Sequence, residues 1–416
     1  MSKHKVEGVL SRYRVLDLTD EKGSFCGKIL GDLGADVIKI ENPGGDSSRR
    51  LGPFYHDELN PEKSLLWWAF NTSKRGITLD IEMTEGKDIF WELIKKADLL
   101  TESFPPGYMT KIGLGYETLS KVNPGIIMVS ISGFGQDGPY ADYKAPDIVC
   151  MAMSGYMNLI GDPDRAPLRI TVPQAYLHAS SEGVAGALIA LWHREMTGKG
   201  QWVDVSAQES VALATFDNQI YWSMSQINLN RLGSQRELNN IPVPLIFPCK
   251  DGYVVCLMPG GVTRTKTQRL VEWMAEEGKA SDLLKGVDWE MFAGDAQPPE
   301  ETLEIVRNFG PFFLTKTKQE LFDQAISRGF FLAPVNSIQD TFDYVQLKER
   351  GFWQGIKHPE LNDEFVYPVA PFKTLDHIYQ IRKRAPLIGE HNDEIFGGEL
   401  GFSKEQINSL SRKRVI

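Results

Sequence analysis

The chain is predicted to be an α/β protein built on an open sheet, and three observations carry that reading. The first 135 residues alternate short apolar runs with helical patterns, the arrangement that parallel strands joined by helical crossovers require. Two helical stretches further on are rich in small residues, which lets helices approach their neighbours closely. A length of 416 residues, 42% of them hydrophobic and 24% charged, suffices for one large domain with a smaller companion.

Residues 13–18 form the first apolar run, followed by a helical pattern over 25–33 and a second run over 36–40. Residues 76–81 read as a strand and 86–97 as an amphipathic helix with Ile89, Phe90, Leu93 and Ile94 on one face. Further strands are expected at 99–104 and 126–132, then small-residue helices at 147–159 and 178–196. The strand QWVDVS (201–206) comes next. Beyond it the character changes. VPLIFPCKDGYVVCLMP (243–259) predicts two strands joined at Lys250-Asp251-Gly252, and helices are expected near 262–277 and 318–328. Strand–helix alternation returns from about residue 332 and ends in RAPLIGEHND. The division expected is a discontinuous large domain, 1–225 with 330–416, and a small α+β domain with linkers, 226–329.

A formal charge of −10 argues against general nucleic-acid binding. Four scattered cysteines (Cys26, Cys150, Cys249, Cys256) without a CxxC pair suit a reducing cytosol and give no zinc spacing. MSKHKVEGVL is too polar for a signal peptide, and no apolar run approaches a membrane span. A soluble cytoplasmic protein is expected.

GFGQDG (133–138) satisfies G-x-G-x-x-G after an apparent strand, but Pro139 follows at once and the next helix starts only near Asp147. Dinucleotide binding needs the helix to open within that loop, so a glycine-permitted turn is the better reading. In FNTSKRGITLD (70–80), Lys74 and Arg75 offer a cationic pair suited to phosphate, with solvated surface charge as the plainer alternative. Lys111 and Lys144 are isolated cations. His178, alone at a helix start, is expected to be packed or exposed rather than a base. No metal-ligand cluster and no G-x-S-x-G elbow occurs.

Taken together, VLDLT (15–19), LGDLGADVIKIE (30–41), NTSKRGITLD, TESFPPGYMTKIGLGYETL (101–119), SGFGQDGPY (132–140), TGKGQWVDVS (197–206) and RAPLIGEHNDE (384–394) resemble the class III CoA-transferases, the formyl-CoA and carnitine CoA-transferase family. The match runs in order along nearly the whole chain. The resemblance implies a Rossmann-like large domain, a small domain on long linkers, and two chains interlocked as a dimer. It also implies CoA transfer between carboxylic acids through acyl-aspartyl anhydride and aspartyl-CoA thioester intermediates, with a CoA thioester as substrate and no tightly bound cofactor.

The family's aspartate lies in a segment of the form V-P-x-A-D-L. Here the segment is Val172-Pro173-Gln174-Ala175-Tyr176-Leu177, so Tyr176 occupies the nucleophile's place. A phenol with a pKa near ~10 is a poor substitute for a carboxylate. Glu182 is more than a helical turn downstream, and Asp162 and Asp164 lie in an upstream loop. By the same resemblance Lys74, Arg75, Phe104, Lys111 with Ile112, and Lys144 fall at CoA-contacting places, and Ser103 stands where asparagine is common. The first loop, Thr19-Asp20-Glu21-Lys22-Gly23-Ser24-Phe25, lacks the family's proline. The small-domain lid is reduced to Pro259-Gly260-Gly261. The superfamily's racemases pair an Asp with a His, and those places hold Tyr176 and Pro146, which excludes that activity.

These departures imply a subunit without its own nucleophile, whose homologous partner carries the aspartate. Such subunits occur in the enzymes that activate (R)-benzylsuccinate with succinyl-CoA in anaerobic toluene degradation. Tyr176, Trp67, Trp68 and Trp222 would suit an aryl substrate, or a core. The alternatives are a stand-alone acyl-CoA-binding protein and a transferase with another nucleophile.

Overall fold

The computed structural model describes residues 8–238, 241–257, 264–289, 299–373, 375 and 379–416. It divides into two compact units: 8–156, 169–224 and 348–416 form the first, and 157–168 with 225–347 the second. The expected return to the first unit near 330 comes at Lys348, because the strand at 332–334 joins the small sheet of the second unit.

The first unit is built on six strands, β1 (Arg14–Leu18), β2 (Asp36–Glu41), β3 (Lys74–Thr78), β4 (Leu99–Glu102), β5 (Ile127–Ser132) and β6 (Trp202–Ser206). All neighbours pair in parallel, in the order β3-β2-β1-β4-β5-β6. The order reverses between β1 and β4, and in open α/β sheets ligands sit at the carboxyl ends of the strands around such a reversal. Strands β4 and β5 are buried along their whole length, as parallel strands covered on both faces must be.

Helices α1 (Ser24–Asp32), α2 (Leu65–Phe70), α3 (Thr84–Ile94), α4 (Tyr108–Lys111) and α5 (Tyr116–Val122) make the crossovers of the first half. α3 lays Ile89, Phe90, Leu93 and Ile94 on the core, as its spacing predicts. After β5 the loop carrying GFGQDG holds no helix, and α6 (Asp147–Met153) follows it. Then come α7 (Ala175–Thr197), α8 (Ala207–Leu213) and α9 (Phe216–Ser225). The small residues of α7 have a direct use: a Cβ on Gly186 would meet Val203 of β6 at 2.6 Å.

The segment 379–416 closes the amino edge of this sheet. Arg75 binds Asp36 (2.6 Å), Glu394 (2.8 Å) and Glu399 (2.6 Å), while Arg14 binds Asp36 and Glu399. Ile395 and Phe396 enter the core, and His391 accepts the Gly76 N–H. A hairpin of Trp353–His358 and Asp363–Pro368 packs Ile356 and Tyr367 with Trp67 and Trp68.

The second unit contains an antiparallel pair, β7 (Gln235–Leu238) and β8 (Ile241–Pro244), and a three-stranded sheet of β9 (Ile246–Cys249), β10 (Gly252–Cys256) and β11 (Leu332–Pro334). β9 and β10 are joined at Lys250-Asp251, as the turn residues predict. Five helices, α10 (Arg264–Glu276), α11 (Asp282–Gly286), α12 (Pro299–Arg307), α13 (Gly310–Phe313) and α14 (Lys318–Arg328), enclose its core, where Trp273, Phe309, Phe312 and Phe313 meet.

Candidate functional site

The segment VPQAYL turns into α7 at Ala175, three residues earlier than the sequence spacing predicts. The reason lies on α6. One carboxylate oxygen of Asp147, Oδ1, accepts the N–H groups of both Gln174 and Ala175 at 2.7 Å. An anion supplied by the protein itself therefore caps the helix at its electropositive end.

Tyr176 sits on the first turn and is 9% exposed. Its hydroxyl donates to the Ala145 carbonyl at 2.5 Å, with the Cys150 thiol alongside. Gly133 lies beneath, where a Cβ would strike Ala145 at 2.0 Å. Burial, then Cys150 and the acids Asp20 and Glu21, push the phenol well above its usual value. Tyr176 is thus a buried phenol that donates to a backbone carbonyl. His178 and Glu182 are exposed, and Asp162 and Asp164 belong to the second unit.

The residues expected to contact CoA are not gathered in one place. Lys74 is fully buried on β3, where Nζ donates to Asp17 Oδ2, the Ser24 carbonyl and Asn71 Oδ1, each at 2.8 Å. Burial alone would raise the Asp17 carboxyl, but Lys74 and Lys39 hold it below its ordinary value. Arg75 is committed to the three acids at the amino edge of the sheet. Both cations of this pair thus have internal counter-ions.

Ser103 and Phe104 lie at the carboxyl edge, just past β4. The Ser103 hydroxyl donates to Asp20 Oδ1 (2.8 Å) and accepts the Asp20 N–H (2.9 Å). Lys22 in turn pairs with Asp20, and Ser180 of α7 bonds the Lys22 carbonyl at 3.4 Å. The first loop is fastened to β4 and α7 by its own residues. The Phe104 ring lies 4.5 Å from Tyr108. Lys111 is exposed at the end of α4, Ile112 packs against the core, and Lys144 is exposed just before Ala145. Pro259-Gly260-Gly261 lies outside the described residues.

A cavity of about 200 Å³ opens at the carboxyl ends of β1 to β4. Its floor is apolar (Leu18, Ile40, Leu79, Ile81), and Ser103, Phe104 and Tyr108 form part of its wall. Asp20, Glu41, Asp46 and Glu82 also line it, and no lysine or arginine does among the described residues. Lys39 and Arg49 offset Asp46 and Glu41 from beneath, at 3.2 and 2.6 Å. Trp67 and Trp68 are core residues. The Arg49 guanidinium lies 3.7 Å over the Trp67 ring, and Trp68 packs on His358. All four cysteines are buried thiols, and the described residues hold no cluster suited to a metal and no helix able to cross a membrane.

Sequence reasoning missed Asp20, Asp147 and Glu102 as participants. Pro146-Asp147 is a legible helix start, but its service to α7 is a tertiary contact that no local pattern announces.

The model of CoA-transferase family III matches residues 10–392. The chain belongs to CoA-transferase family III. Among the family III CoA-transferases, it is 34% identical over 413 residues to the succinyl-CoA:(R)-benzylsuccinate CoA-transferase subunit BbsE of Thauera aromatica, with 98% of each chain covered. It is 33% identical, with the same coverage, to the succinyl-CoA–L-malate CoA-transferase beta subunit of Chloroflexus aurantiacus. The formyl-CoA:oxalate CoA-transferase of Streptomyces avermitilis is 31% identical, over 98% of this chain and 99% of its own. A solved CAIB/BAIF family protein from Brucella suis superposes with a TM-score of 0.82 at 27% identity, covering 94% of this chain and 99% of that one. The parallel six-stranded α/β architecture is thus that of the family, and these relatives support CoA-transferase activity.

Proposed function

We propose that this chain is the nucleophile-lacking subunit of a heteromeric class III CoA-transferase, interlocked with a homologous chain that carries the catalytic aspartate. The observation that carries the reading is Tyr176: where the resemblance puts a carboxylate, there is a buried neutral phenol bonded to a backbone carbonyl. In the partner, the aspartate would attack the thioester carbonyl, the C–S bond would break, and CoA would leave as thiolate while a mixed anhydride forms. Tyr176 cannot take that step without first losing a proton that its surroundings hold tightly.

Two further observations support a partnered, non-catalytic role. On α7, Ile189, Trp192 and Met196 are each about 70% exposed, and Phe216 and Met224 of α9 are exposed as well. A second chain of the same fold is the occupant that the interlocked arrangement implies. The cavity at the carboxyl edge also presents no lysine or arginine in its lining, among the described residues, to the phosphates of CoA. The thioester would then be held on the partner's side. The relatives named as subunits in Thauera and Chloroflexus fit this assignment, and (R)-benzylsuccinate with succinyl-CoA is the substrate pair proposed first.

The test is transfer by the purified chain alone and by the chain with its homologous partner. The lone chain should give no turnover and no hydroxylamine-sensitive acyl-enzyme, and the intact complex should weigh as two different subunits. Turnover by the lone homodimer at the rate of the complex would overturn the proposal. A rival reading, a relocated nucleophile, has Asp147 as its candidate, since that carboxylate stands at the start of α7. Asp147→Asn keeps an oxygen for the two N–H groups and should leave kcat of the complex unchanged. A collapse of kcat with an intact fold would favour the rival.

A further inference from the structure

A second buried carboxyl lies outside the reading above. Glu102 ends β4, is 3% exposed, and pairs in register with Leu18 of β1 and Ser130 of β5. Its Oε2 accepts the Phe104 N–H at 2.7 Å, and the Ser130 hydroxyl bonds to it. Ser130 in turn accepts Trp202 Nε1 at 2.9 Å. The charged groups that bear on Glu102 from the neighbouring elements are Asp20, in the loop after β1, and Asp204, on β6; both are acids. Among the described residues no lysine or arginine pairs with Glu102, and Lys22 spends its charge on Asp20. The very next residue, Ser103, makes the two-bond fastening to Asp20 that holds the first loop against the sheet.

We propose that Glu102 is a proton-operated control on that fastening: uncharged, it lets the Asp20–Ser103 contact close over the cavity, and ionised, it drives the loop 19–23 open. The physical ground is the cost of a negative charge on the buried Glu102, which no cation among the described residues pairs, with the acids Asp20 and Asp204 nearby. Ionisation is relieved when Asp20 moves away and water reaches the carboxylate. Because Asp20, Ser103 and Phe104 all line the cavity, opening the loop widens that cavity from the β1 and β4 side.

Burial pushes the Glu102 carboxyl up to about 7, with Asp204 and Asp20 adding to it, so the change falls in the neutral range. For a carboxyl at about 7 in the closed loop and at its ordinary 4.5 in the open one, the opening equilibrium rises on the order of tenfold between pH 6 and pH 8.

Hydrogen exchange followed by mass spectrometry reads this directly. Protection of the 19–25 amides, corrected for the intrinsic pH dependence of exchange, should fall about tenfold from pH 6 to pH 8. Protection of β2 should not change. Glu102→Gln should give equal protection at both pH values. Asp204→Asn, which removes one like charge, should move the midpoint to lower pH, and it keeps the test open should Glu102→Gln fail to fold. The same fall in Glu102→Gln, or a wild-type loop whose corrected protection does not depend on pH, overturns the proposal. Neither result bears on which subunit carries the nucleophile.

Discussion

Tyr176 and Lys74 illustrate how a side chain's meaning depends on what it touches. Tyr176→Phe removes one donor and leaves the Ala145 carbonyl with only the Cys150 thiol at 3.7 Å, so it should cost about 1 kcal/mol in urea unfolding while leaving transfer by the complex intact. Lys74→Met should cost more, about 3–5 kcal/mol, because it strands the Asp17 carboxylate in the core; adding Asp17→Asn should recover part of that loss. The residue scale is also where the sequence was least legible. A Lys-Arg pair before a strand reads as surface charge or as a phosphate ligand. The acids that neutralise it lie 57 residues earlier at Asp17 and 324 residues later at Glu399. By contrast, the place of Tyr176 where the chain enters α7 was readable from the residues on both sides of it.

At the scale of elements, period and turn chemistry located nearly every strand of the first unit and the hairpin of the second. The start of α7 was the exception, since its cap is borrowed from α6 rather than encoded beside it. Asp147→Ala should therefore destabilise the protein by about 1 kcal/mol, with Asp147→Asn recovering most of it, measured by denaturant midpoint at constant m. The six-stranded order was likewise only half legible. Alternating runs announce parallel strands, but which strand takes the edge depends on contacts between distant segments.

Across the whole molecule, stability carries a histidine signature. His358 is fully buried with Nε2 2.8 Å from the Tyr367 hydroxyl, and burial holds its pKa below the ordinary 6.5 although Glu360 beside it acts in the opposite sense. The unfolded chain then binds more protons than the folded one below that value. Stability is therefore full above pH 6.5 and declines as pH falls through it toward the depressed folded value. Urea unfolding at pH 8 and pH 5.5 should show a smaller difference for His358→Gln than for the wild type; an unchanged difference would assign the slope to other groups. The late boundary of the second unit, at Leu347, follows from the pairing of β11 with β10, a contact between distant segments that no local pattern announces.

The closing of the sheet's amino edge by residues 379–416 also sets an order in time. The first unit's core takes Ile395 and Phe396, and Arg14 and Arg75 wait for Glu399, so that unit stays unfinished until the ribosome has passed residue 399. Every residue of the second unit has been synthesised by then, since it ends at Leu347. The segment met first by translation is thus among the last to be sealed.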